Sequence, residues 1–91
     1  ERAADAQFQI GESYYRDGEF QDAYAALEAV AEKWPQSARA PAALFRAGAI
    51  AEERRGFQRA RQYYTEVRER YPDSEEARQA LARSSAEGTS S

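Results

Sequence analysis

Apolar residues recur along the chain at three- and four-residue intervals, in blocks separated by short polar breaks, which is the period of helices packed on one side. The first block spans roughly Arg2 to Arg16, with Phe8, Gly11, Tyr14 and Tyr15 in step. The stretch "RDGEF" interrupts it, and Gly18 suits the left-handed conformation that ends a helix. A second helix is predicted from about Phe20 to Lys33, with Ala23, Leu27 and Val30 on one stripe. Trp34 precedes Pro35, which disfavours further helix. Ser37 reads as the N-cap of a third helix, about Ala38 to Arg54, and Pro41 falls in its first turn, where a missing N–H costs least. Leu44, Phe45, Ala47, Gly48 and Ala51 carry the period there. Gly56 is expected to make the next turn. The fourth helix runs from about Phe57 to Arg70, with Ala60, Tyr64 and Val67 facing inward. Ser74 is expected to cap a fifth helix reaching about residue 86, with Glu75 and Glu76 in the first turn, where the dipole favours acid. The polar residues 87–91 are expected to form a flexible tail.

The plan occurs twice. Shifting the chain by 37 positions pairs residues 3–39 with 40–76 without a gap, and 11 pairs are identical. Among them are Phe8/Phe45, Gly11/Gly48, Phe20/Phe57, Ala23/Ala60, Val30/Val67, Pro35/Pro72 and Ser37/Ser74. Ala77, Ala80 and Leu81 begin a third, truncated copy under Ala40, Ala43 and Leu44. A glycine, an alanine and a proline stand 12 residues apart in each copy: Gly11, Ala23, Pro35, then Gly48, Ala60, Pro72. Small residues at matched places allow close approach where paired helices cross, and the proline closes each unit.

These residues resemble the tetratricopeptide repeat (TPR) family, whose units carry an aromatic, Leu-Gly, Tyr, a small residue and a proline over about 34 residues. In copy one the stretch is "FQIGESYYRDGEFQDAYAAL…P", with Ile10 in the leucine place. In copy two it is "LFRAGAIAEERRGFQRARQYY…P", with Ala51 in the tyrosine place. The resemblance implies an all-α, right-handed α-solenoid of two helix hairpins plus a C-terminal capping helix. The expected domain covers 1–86, with repeat one about 3–39, repeat two about 40–76 and the capping helix about 74–86. The longer period lies in "WPQSARA" and "YPDSEEA". That lengthened linker is similar to a bacterial envelope subgroup. It includes the periplasmic Tol-Pal-associated cell-division coordinators and, less closely, the outer-membrane-protein assembly lipoproteins. This implies a periplasmic setting. The opening "ERAADAQF" already carries the helical pattern, so we expect a longer parent protein with any targeting segment outside these residues.

Composition narrows the function. A net charge of −3 argues against nucleic acid, which needs clustered positive charge. No stretch approaches the ~20 apolar residues of a membrane span. The chain contains neither histidine nor cysteine, which removes the commonest general base, metal ligand and thiol nucleophile. Neighbouring acids Glu52/Glu53 and Glu75/Glu76 diverge by ~100° on a helix and suit solvent or caps better than shared catalysis. We expect no enzyme, no cofactor and no metal site, and instead a non-catalytic scaffold for a protein or peptide.

In such a stack the first helix of each pair lines the concave face. The candidate contact residues are Asp5, Phe8, Gln9, Glu12, Tyr15 and Arg16 in copy one. In copy two they are Ala42, Phe45, Arg46, Ala49, Glu52 and Glu53, and Gln79 and Arg83 close the end. Phe8, Tyr15 and Phe45 would anchor an extended peptide or a helix. Phe8 and Phe45 serve equally as core, and Arg16, Arg46 and Arg83 are expected to pair within the chain with Glu12 or Glu52. Clamps for a chaperone's C-terminal carboxylate use lysine and asparagine, whereas Phe8 and Glu12 stand at the matching places here. Self-association is the alternative, with Tyr24, Tyr63 and Trp34 as a candidate patch for a homo-oligomer.

Overall fold

Helices follow one another in the order α1 (Arg2–Arg16), α2 (Phe20–Lys33), α3 (Arg39–Glu53), α4 (Phe57–Arg70) and α5 (Glu75–Thr89) in a computed structural model. It describes residues 2–89, and side chains through Arg83; no strand occurs among the described residues. α5 continues to Thr89, so the expected flexible tail is helical over 87–89, and residues 90–91 lie outside the described residues.

The repeated breaks are built by repeated hydrogen bonds. At the end of α1 the N–H of Gly18 donates to Tyr15 O (3.0 Å) and that of Glu19 to Tyr14 O (2.8 Å). One repeat later the N–H of Arg55 donates to Glu52 O (3.0 Å) and that of Gly56 to Ala51 O (2.7 Å). This closing motif fixes which residue must turn left-handed, and in copy two it is Arg55 (φ 68°), in register with Gly18 (φ 79°). The expectation that Gly56 makes the turn is therefore corrected: its φ is −87°, an ordinary value. In the linkers, Ser37 Oγ accepts from the N–H of Arg39 (3.0 Å). Ser74 Oγ accepts from the N–H of Ala77 (3.0 Å) and its hydroxyl donates to Tyr71 O (2.7 Å).

Two rows result. α1, α3 and α5 form one row, in which neighbours approach backbone to backbone within 8 Å. α2 and α4 form the second, where the backbones stay farther apart and side chains bridge the gap. There the rings of Tyr24 and Tyr63 lie 5.9 Å apart, the Tyr63 hydroxyl donates to Glu28, and Arg70 donates to Ala31 O (3.4 Å). A tighter first row and a looser second row bend the stack toward the first helices, within a slab of 40 × 30 × 15 Å.

Between the rows, Leu27, Val30, Leu44, Ile50, Tyr64 and Val67 are fully buried. The matched glycines make room there for one large side chain each. A Cβ on Gly11 would lie 2.7 Å from Leu27, and a Cβ on Gly48 would lie 2.6 Å from the Tyr64 ring. Leu27 and Tyr64 are themselves one repeat apart, so the same hole is filled by different side chains. Where the sequence leads us to expect backbones crossing closely, the space at Gly11 and Gly48 is instead taken up first by a side chain, with the Ala23 carbonyl next at 3.6 Å from a Cβ on Gly11.

Candidate functional site

The first-helix row positions most of the expected contact residues on one face and ties them together. Asp5 on α1 accepts from Arg39 Nε on α3 (2.5 Å), and the Arg39 guanidinium lies over the Phe8 ring at 5.3 Å. Half a helix further, Glu12 accepts from Arg46 Nε and Nη2 (2.7 and 3.1 Å), and Arg46 lies over Tyr15 at 4.8 Å. Between α3 and α5 the unit recurs: Glu52 accepts from Arg83 (2.5 Å), and Arg83 lies over Phe45 at 5.3 Å. Each unit is thus a carboxylate, an arginine and an aromatic ring. The planar guanidinium suits both partners, with its edge for the carboxylate and its face for the ring.

Further bonds hold the units. The Tyr15 hydroxyl donates to Glu53 (2.6 Å), and its ring meets Phe20 edge-on at 5.9 Å. The Tyr64 hydroxyl donates to Glu52 (2.9 Å), and its ring packs 5.5 Å from Phe45. The hydrogen bond to the Glu53 carboxylate, then burial, raises the Tyr15 phenol above its ordinary pKa. Burial, then the Glu52 carboxylate, pushes Tyr64 up to about 12. The Arg46 guanidinium is raised by its bond to Glu12, so its charge is fixed at any working pH. Among the described residues no group of three or more potential metal ligands occurs.

The structure sorts the expected residues. Phe8, Tyr15 and Phe45 are half-buried against the core, so each ring serves both packing and the face. Arg46 and Arg83 pair within the chain, with Glu12 and Glu52, as expected. Arg16 does not; it donates to Ser13 on its own helix (3.2 Å). Gln79 bonds Glu75 on its own helix (3.5 Å) and does not join the ladder. Gln9 is exposed, and Ala42 and Ala49 are half-buried in the same row. Two participants were missed. Arg39 completes the first unit, and its signal was present: Asp5/Arg39 and Glu12/Arg46 share a separation of 34 residues. Tyr64, read only as core, sends its hydroxyl to the face. The suggested self-association patch is corrected, because Tyr24 and Tyr63 are each only 5% exposed, packed against each other between α2 and α4.

No helix among the described residues is long and apolar enough to cross a membrane. A tetratricopeptide repeat family model matches residues 5–37 and 42–74, so both matches fall on the two helix pairs and together span most of the chain. No curated protein matches it.

Proposed function

This chain belongs to the tetratricopeptide repeat family, and from that premise we propose that it is a scaffold holding a peptide or helix on the α1–α3–α5 face, within a bacterial envelope protein linked to Tol-Pal and cell division. Binding of protein partners is the family's general role. One observation carries the choice of face: three arginine-covered rings, at Phe8, Tyr15 and Phe45, succeed one another along the inner row. A partner's apolar side chain would gain the rings, and its carboxylates would compete with Asp5, Glu12 and Glu52 for the arginines. The salt bridges are partly exposed and individually weak, so such an exchange costs little. The periplasmic setting is supported by the "WPQS" and "YPDS" linkers, which resemble those of the Tol-Pal-associated subgroup.

The test is photo-crosslinking in cells. Gln9 stands one repeat from Arg46 and two from Arg83, so a photoreactive residue there looks onto the face; one at Arg61 on α4 is the control. Capture of a Tol-Pal or division component from Gln9 and not from Arg61, lost in Arg46→Glu, is the expected result. Capture of an outer-membrane assembly component would keep the scaffold and overturn the division setting. Equal capture at both positions would overturn the choice of face.

A further inference from the structure

The turn edge of the stack is built unlike the inner row. Between the α1–α2 turn and the α3–α4 turn lies a cleft of about 490 Å³, walled by both repeats. Two arginines of the second repeat line it, and each lies over a ring of the first: Arg54 over Phe20 at 4.0 Å and Arg59 over Tyr24 at 4.4 Å. On the inner row each ring-covering arginine also holds a carboxylate, Arg39 that of Asp5, Arg46 that of Glu12 and Arg83 that of Glu52. Among the described residues Arg54 and Arg59 hold none. A ring takes the face of a guanidinium and leaves its edge donors for an anion. Arg59 uses one of them on the Tyr63 hydroxyl (3.5 Å).

A second observation points into the same cleft. Tyr24 lines it and is only 5% exposed, yet its hydroxyl has no hydrogen-bond partner among the described residues. Tyr63 beside it donates to Glu28, and Tyr64 donates to Glu52. Buried hydroxyls are ordinarily bonded, because leaving one unpaired is costly. Burial raises the Tyr24 phenol above its ordinary pKa while the Arg59 and Arg54 charges oppose the rise, so both guanidiniums act on this one side chain. Glu19 and Asp22 also line the cleft and take part in no ion pair among the described residues. They stand at the start of α2, where the helix dipole stabilises acid without a cation. The cleft thus presents two uncommitted cations, two uncommitted anions and one uncommitted hydroxyl.

We propose that this cleft is a second peptide-binding site, apart from the inner face, which takes an acidic side chain of a partner peptide between Arg54, Arg59 and the Tyr24 hydroxyl, with a neighbouring basic side chain of the peptide toward Glu19 and Asp22. A carboxylate accepts from all three donors and completes at the edge the unit that the inner row already has. The two arginines are held by their rings beforehand, so little side-chain freedom is lost on binding. A doubly charged phosphate gains the same donors but meets both acids of the rim, so the acids select against it.

Titration of the isotope-labelled full chain with a short end-blocked peptide, one glutamate beside one lysine among alanines, tests this by amide and arginine side-chain NMR shifts. The expected result is saturable shifts centred on Phe20, Tyr24, Arg54 and Arg59, with a dissociation constant in the millimolar range. Glutamine for glutamate in the peptide, or Arg54→Gln at its exposed position in the protein, weakens binding about tenfold. Tyr24→Phe weakens it about fivefold and, since no internal bond is lost, does not lower the urea midpoint of the free protein. Arg61→Gln, the same charge change on α4 outside the cleft, has no effect. Absence of saturable shifts overturns the proposal, as do shifts that survive Arg54→Gln. A lower midpoint in Tyr24→Phe does the same, because the hydroxyl would then be bonded within the fold. Tighter binding of inorganic phosphate than of the peptide overturns the carboxylate as ligand, and equal binding of a peptide with alanine for lysine overturns the part given to Glu19 and Asp22. Shifts at these residues that grow with protein concentration alone make the occupant a second copy and overturn the separate partner.

Discussion

Replacing Gly48 by alanine puts a methyl group where the Tyr64 ring already lies. Its Cβ would stand 2.6 Å from Cε1, 2.9 Å from Cδ1 and 3.1 Å from Cζ of that ring. Ordinary carbon–carbon contact is about 3.5–4.0 Å, so a rigid ring must retreat by roughly 1 Å. It has little room. Tyr64 is 1% exposed, its hydroxyl bonds Glu52 at 2.9 Å, and the Phe45 ring packs 5.5 Å from its own. Overpacking of this kind costs about 1–3 kcal/mol. Loosening the hydroxyl bond costs a further ~0.5–1.5 kcal/mol. Against this, alanine is favoured over glycine in a helix by about 1 kcal/mol. The net expectation is a loss of about 1–3 kcal/mol. Urea unfolding followed by circular dichroism reads it as a lower midpoint with an unchanged slope. Gly56→Ala is the control, because its Cβ would meet only Ala51 O at an ordinary 3.5 Å. A Gly48→Ala midpoint at or above wild type would refute the reasoning, since the ring would then be free to move.

Other consequences are open to measurement. Arg55→Gly relieves a left-handed arginine (φ 68°) and should raise the unfolding free energy by up to about 1 kcal/mol, less the loss of the Arg55 stack on Phe57; an unchanged or lower midpoint counts against the turn as described. Tyr64 is raised from an ordinary 10.0 to about 12 in the fold, so its contribution is fully present below pH 10 and fades as pH rises through 12. The alkaline decline in stability should flatten in Tyr64→Phe, and phenolate absorbance should show late-titrating tyrosines; identical alkaline profiles would contradict this. Arg46→Ala should cost about 1 kcal/mol, most of it coupled to Glu12 in a double-mutant cycle with Glu12→Gln, and independent effects would remove the second unit of the ladder.

Periodicity made the helices and their repeat readable, because a 37-residue shift that aligns Gly11 with Gly48 and Pro35 with Pro72 samples every local signal twice. What it could not convey was how a matched position is used. Gly18 and Arg55 occupy the same left-handed place, yet propensity alone pointed to the adjacent Gly56. The hydrogen bonds that close the helix, not the residue's own preference, selected Arg55. Identity was similarly silent about the face. The carboxylates, Arg46, Arg83 and the rings were readable as candidates, but Arg39 was hidden by standing next to a cap, and the Tyr64 hydroxyl by standing on a core ring.

The largest gap between sequence and structure lies at the ends of the stack. Ala3 and Ala40 are the same residue at the same place in the repeat, as are Ala6 and Ala43, yet one pair is exposed and the other completely buried. A repeat fixes each unit's own packing but leaves its outward face to whatever comes next, so a stack must be finished by something outside the repeat. At one end this chain supplies α5, whose Ala77 and Ala80 cover α4. At the other, Ile10 and Tyr14 remain half in solvent.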